Sequence, residues 1–74
     1  MQIKIIKTEK LSEQMERWQV CLPKDKFMEF GFYLEALEGA ALHRRSYEAE
    51  NLMELDVAIG YKDEVLALIE ALQK

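Results

Sequence analysis

A chain of 74 residues, half of them hydrophobic, encloses one core and no more. Its net charge of −4 argues against a general binder of nucleic acid or acidic membranes, because both need a basic surface that displaces counterions. A core of this size typically yields only ~3–5 kcal/mol, so a homodimer is expected as a way of burying more surface.

One cysteine cannot form an internal disulfide. No charged-then-apolar leader opens the chain, and no apolar run approaches the roughly 18 residues of a membrane span. A soluble cytoplasmic protein that does not engage membranes is therefore expected. Cys21 is read as a small packing residue inside a strand, since neither a second cysteine nor a nearby histidine accompanies it.

Gln2 to Lys7 reads as a short strand, with Ile3 and Ile5 on one face and Lys4 and Ile6 on the other. Its lysines suit a sheet edge. Thr8 to Gln14 is polar apart from Leu11 and is expected to be a loop; the rival reading caps a helix at Thr8 and aligns Leu11, Met15 and Trp18. Glu16 to Leu22 alternates, with Trp18, Val20 and Leu22 opposed to Arg17, Gln19 and Cys21. Pro23, which has no N–H for a ladder, ends it.

Asp25 is placed as the N-cap of the next helix. At 100° per residue, Phe27, Phe30, Gly31, Leu34 and Leu37 form its core-facing stripe. Gly31 costs about 1 kcal/mol against alanine, a loss that close approach of a neighbour would offset. Gly39 fits the left-handed position that follows a helix. Met28, Phe32 and Ala36 fall on the opposite side. Either they touch the second helix or the loop at Leu11, or they form a contact site for another chain.

Ala40 to Tyr47 and Leu52 to Ile59 read as a hairpin turning at Glu48 to Asn51. Setting Tyr47 against Leu52 pairs Arg45 with Glu54, His43 with Asp56 and Ala41 with Ala58 on one face. The other face then pairs Leu42 with Val57, Ala40 with Ile59 and Ser46 with Met53. Arg44 opposite Leu55 is the misfit of that inner face, its stem packing while its guanidinium reaches water. Gly60 breaks the strand. Tyr61 to Lys74 is the last helix, buried along Tyr61, Val65, Leu68, Ile69 and Leu72, with Lys74 matching the dipole at its end.

The element order β-β-α-β-β-α contains the body of a split βαβ unit. The expected fold is α+β: one four-stranded antiparallel sheet, ordered first, second, fourth, third, with two helices on one face. This is a single circularly permuted ferredoxin-like or ACT-like domain over residues 1–74.

From about Trp18 onward the chain also resembles an uncharacterised bacterial family, domain of unknown function 4911. The resemblance lies in Leu22-Pro23, in Phe30 with Leu34-Glu35-Ala36, in Glu38-Gly39-Ala40-Ala41 and in the closing helix; residues 1–14 lie outside it. It implies a fold and a bacterial cytoplasmic setting, and brings no activity.

No catalytic residue, metal site or cofactor is assigned. His43 is the only histidine, and His43 with Asp56 is too small a donor set for a metal. A Cys21–His43 nucleophilic pair would be separated by a strand. The connection Pro23 to Lys26 lacks the glycine of a phosphate loop. The expected open sheet face carries Tyr47 as its one aromatic, beside Arg17, Gln19, Arg45, Glu54 and Asp56, which disfavours base stacking and nucleic acid.

The leading expectation is a small non-enzymatic interaction or regulatory module that is homodimeric. Its interface would be either the patch of Met28, Phe32 and Ala36 or the free edge strand with Arg44, Arg45 and Tyr47. The runner-up is a small-ligand-binding subunit or small enzyme using Glu35, Glu38, His43 and Arg44 near the helix-to-strand corner at Gly39.

Overall fold

A computed structural model describes residues 1–73. Strands β1 (Lys4–Lys10), β2 (Met15–Cys21), β3 (Ala41–Arg45) and β4 (Leu52–Ala58) form one sheet, and α1 (Phe27–Glu35) and α2 (Lys62–Leu72) are its helices. Every neighbouring pair is antiparallel and the order is β1-β2-β4-β3. The α+β fold and strand order expected from the sequence are both found, consistent with a ferredoxin-like description. Lys74, expected beside the helix dipole, lies outside the described residues.

Alternation sets the core. Trp18, Val20 and Leu22, with Met53, Leu55 and Val57, supply the sheet's inner face. Phe27, Phe30 and Leu34 from α1 and Val65 and Ile69 from α2 cover it, with Ile3 joining from the strand entry. The indole N–H of Trp18, almost wholly buried, donates to Glu16 Oε1 at 2.9 Å. Burying an indole without such an acceptor would forfeit one hydrogen bond.

Four local expectations are corrected. First, β1 continues to Lys10 where a loop from Thr8 was expected; Thr8, Glu9 and Lys10 pair with Trp18, Arg17 and Glu16, so ladder bonds hold a segment with no apolar signal of its own. Second, Asp25 does not cap α1. A 3-10 turn, Lys24–Lys26, leads in instead, closed by the Lys26 N–H donating to the Pro23 carbonyl at 2.9 Å. Third, β3 is shorter than Ala40 to Tyr47, and Tyr47 sits fully exposed in the connection.

The fourth correction matters most. The β3–β4 register is one residue off the expected one: His43 faces Leu55, Arg44 faces Glu54 and Arg45 faces Met53. Every β3 side chain therefore changes face. Ala41, His43 and Arg45 turn toward α1, while Leu42 and Arg44 lie on the open face. The expected register would have forced the Arg44 charge into the layer beneath the helix, where desolvation is costly. The observed one leaves Leu42 67% exposed but lets Arg44 reach two carboxylates.

Gly39 adopts φ +78°, the left-handed conformation that ends the α1 region and releases the chain into β3. At the far side, the N-terminal ammonium of Met1 donates to the Leu72 carbonyl at 3.0 Å, closing the last turn of α2.

Candidate interaction surface

The two sheet edges are built differently. β1 presents Lys4, Lys7 and Lys10 and is interrupted by a bulge between Ile5 and Lys7. Charge and a bulge are the ordinary means of discouraging strand addition. β3 pairs with β4 in an unbroken register over all five residues. Its two arginines are occupied within the chain. Arg44 Nε donates to Glu54 Oε1 at 3.0 Å and Nη1 to Asp56 Oδ2 at 3.2 Å. Arg45 lies 5.3 Å from the centroid of the Phe27 ring, a cation–π contact.

Hydrogen bonding defines which backbone groups of this edge are free. The Ser46 N–H donates to the Leu52 carbonyl at 3.0 Å, and the Ala58 N–H donates to the Ala40 carbonyl at 2.9 Å. These bonds bracket β3 and fix the alternation. Residues 40, 42, 44 and 46 turn their amide groups toward β4, so those of Ala41, His43 and Arg45 point outward.

α1 runs above this edge. His43 fills the space that Gly31 leaves: a Cβ on Gly31 would stand 2.8 Å from His43 Cε1. The imidazole Nε2 lies 3.6 Å from Glu35 Oε1. Since Gly31 and Glu35 mark the helix side above β3, Met28 and Phe32 flank the same side, 74% and 63% exposed. They do not bury themselves against α2 or Leu11. Ala36, also exposed, follows in the turn after the helix. An open groove of about 370 Å³ runs between helix flank and strand, lined by Phe27, Met28, His43, Arg44, Arg45 and Met53.

The structure divides the ligand-binding quartet expected at the corner. Glu35 and His43 come together. Glu38 is exposed in the turn before Gly39, and Arg44 belongs to the opposite face of the sheet. The slipped register turns His43 toward Glu35 and Arg44 away from it; Glu38 lies outside the paired strand altogether. Of the expected interface residues, Met28, Phe32 and Arg45 share the helix side of β3, Arg44 lies behind it, and Tyr47 stands beyond its end.

The open face is charged as expected, but its partners differ: Arg17 and Arg44, in place of His43 and Arg45, hold Asp56 and Glu54. Arg17 grips Asp56 with two bonds, Nε to Oδ1 at 2.8 Å and Nη2 to Oδ2 at 3.2 Å, while Arg44 approaches from the other side. The Arg17 hydrogen bonds hold the Asp56 carboxyl below the usual carboxylate range; burial opposes this and Arg44 reinforces it. Glu16 is likewise lowered, first by the Trp18 N–H and further by Lys62, against the effect of burial. The signal for Asp56 was available in the pairing of β2 with β4, which sets Arg17 opposite Asp56. A reading confined to the β3–β4 hairpin missed it.

A second groove, of about 610 Å³, lies toward the β1–β2 side of the sheet beside Ile3, Cys21, Leu22 and Pro23. There Asn51 Nδ2 donates to Cys21 Sγ at 3.1 Å. Among the described residues no group of three or more His, Cys, Asp or Glu side chains is placed to hold a metal ion, and no helix is long and apolar enough to cross a membrane. Comparison of the chain with protein-family models, curated proteins and solved structures finds no match.

Proposed function

We propose that this domain is a small non-enzymatic association module that works as a homodimer, joined through the β3 side of the molecule. The observation that carries the reading is the contrast between the two edges. One is guarded by lysines and a bulge. The other has free amide groups, an arginine, Arg44, paired within the chain to Glu54 and Asp56, a second, Arg45, laid over the Phe27 ring, and the exposed flank of Met28 and Phe32 beside it. Such a module would regulate or organise whatever it is attached to or binds. Its resemblance to the family of domain of unknown function 4911 adds a bacterial cytoplasmic setting to this reading and no activity.

Sedimentation of the wild type across the micromolar range tests it. A dimer is expected, and Phe32→Glu is expected to shift it to monomer while leaving the circular dichroism unchanged. A wild type that stays monomeric at high micromolar concentration overturns the proposal.

The contact between Glu35 and His43 favours a second reading, a small-ligand site at the corner near Gly39 that opens into the 370 Å³ groove. Native mass spectrometry separates the two. A co-purifying small molecule that is lost on Glu35→Gln, with the assembly unchanged, would support the ligand site.

A further inference from the structure

The homodimer proposed above leaves its geometry undefined, and the backbone of β3 supplies one. Resting on that reading, we infer that a second copy adds antiparallel to β3 with the two-fold axis passing at His43, so that two sheets become one continuous sheet.

The outward amide groups select the register. An antiparallel two-fold pair needs outward-pointing residues opposite one another, because only these have unsatisfied N–H and C=O groups. With the axis at His43, the narrow pairs are His43 with its own copy, Ala41 with the second Arg45, and Arg45 with the second Ala41. Each exchanges two N–H···O=C bonds, and every outward group of the strand is used. Shifting the axis to Leu42 or Arg44 pairs His43 with Ala41 or with Arg45 and leaves one outward residue of each copy unmatched within the strand. Pairing through the intervening even-numbered residues fails because their amide groups already bond β4.

Side chains agree with this register. α1 and β3 run in opposite directions, with Phe27 beside Arg45 and Glu35 beside His43. The axis therefore brings the basic Arg45 end of one strand to the Ala41 end of the other, next to the turn that carries Glu38. On the open face, Leu42 meets the stem of the second Arg44 at the close spacing of a wide pair, about 4.5 Å between Cα atoms. That contact covers an exposed leucine with methylenes whose charge stays bound to Glu54 and Asp56. Above the sheet, the Met28–Phe32 flank of each helix turns toward the same flank of the other. Edge and patch thus belong to a single interface. The two imidazoles at the axis each keep a Glu35 carboxylate 3.6 Å away.

Single-cysteine crosslinking tests the register. In a Cys21→Ser background, His43→Cys, Leu42→Cys and Arg44→Cys are each oxidised with copper–phenanthroline at a concentration where the protein is dimeric. Across the inferred axis, position 43 faces itself at about 5.5 Å between Cα atoms, within disulfide reach. Positions 42 and 44 each stand about 8 Å from their own copies, beyond reach. Crosslinking of the position 43 variant alone is expected. Crosslinking at 42 or 44 in its place overturns the register while the homodimer stands, and a wild type without concentration-dependent association overturns both.

Amide exchange of the unmodified protein provides the second measurement. The amides of Ala41, His43 and Arg45 should be protected in concentrated protein and exchange freely on dilution, with Leu42 and Arg44 protected throughout. Free exchange of the three odd-numbered amides in a concentrated dimer overturns strand addition at β3.

Discussion

Gly31 and His43 are coupled through the absence of a single methyl group. Glycine inside α1 sacrifices about 1 kcal/mol of helix propensity, and the imidazole packed against its backbone occupies the room that glycine provides. In dilute His43→Ala protein, adding Gly31→Ala is expected to stabilise by about 1 kcal/mol. In the wild-type background the same change must displace the ring from Glu35, and the gain is lost. Urea denaturation of the four proteins of this double-mutant cycle measures the coupling; equal effects of Gly31→Ala in both backgrounds would refute it. Asp56 gives a residue-scale expectation in pH. Its pKa is lowered in the folded state, chiefly by Arg17, so its contribution is present above about pH 4 and disappears as pH falls through the lowered value. Asp56→Asn should therefore be less stable than wild type at neutral pH, with the gap closing in acid. Parallel acid limbs in thermal melts of the two proteins would remove Asp56 from that role.

At the scale of elements, helix phase is the strongest test of how the chain organises itself. Phe30 is fully buried on the core stripe of α1, whereas Phe32, two residues on, is 63% exposed. Phe30→Ala is expected to cost ~3–5 kcal/mol, comparable with the whole stability of so small a domain, while Phe32→Ala in the monomer should stay within about 0.5 kcal/mol. Chemical denaturation giving similar losses for both would overturn the phase. That phase was legible in the sequence because α1, β2, β4 and α2 each repeat their apolar residues at the period of the element, although Tyr61, expected on the α2 stripe, lies in the 3-10 turn before that helix and is exposed. β3 was not. Ala41–Arg45 contains two apolar residues of opposite parity and three bases, so charge can be matched across the hairpin in either register. The choice is made outside the hairpin, by the vacancy at Gly31 and by Arg17 already holding Asp56, and no pattern local to a strand records either. The end of β1 was hidden for a similar reason, since Thr8, Glu9 and Lys10 are ordered by the backbone of β2. Of the ligand quartet, the expected register set His43 on the open face and Arg44 beneath the helix; the one-residue slip brings His43 to Glu35 and turns Arg44 away, while Glu38 stays exposed in the turn.

For the molecule as a whole, the radius of gyration is 11.2 Å, against about 11 Å expected for a folded chain of this length. Sheet and helices bury their core within one copy, so the proposed association would join folded monomers and should appear as a mass-action effect on stability rather than as coupled folding. Ala41 gives a way to remove the association without touching the monomer's hydrogen bonds. It is the first residue of β3 and its N–H points away from β4, which is where an edge strand tolerates proline. Proline there deletes an outward donor and sets a ring in the path of an added strand. Wild-type protein should show a melting temperature that rises with protein concentration. Ala41→Pro should melt at a temperature independent of concentration and match the wild type once both are dilute. If Ala41→Pro instead keeps the concentration dependence of the wild type, β3 is not the joining edge, and the association surface must lie elsewhere on the molecule.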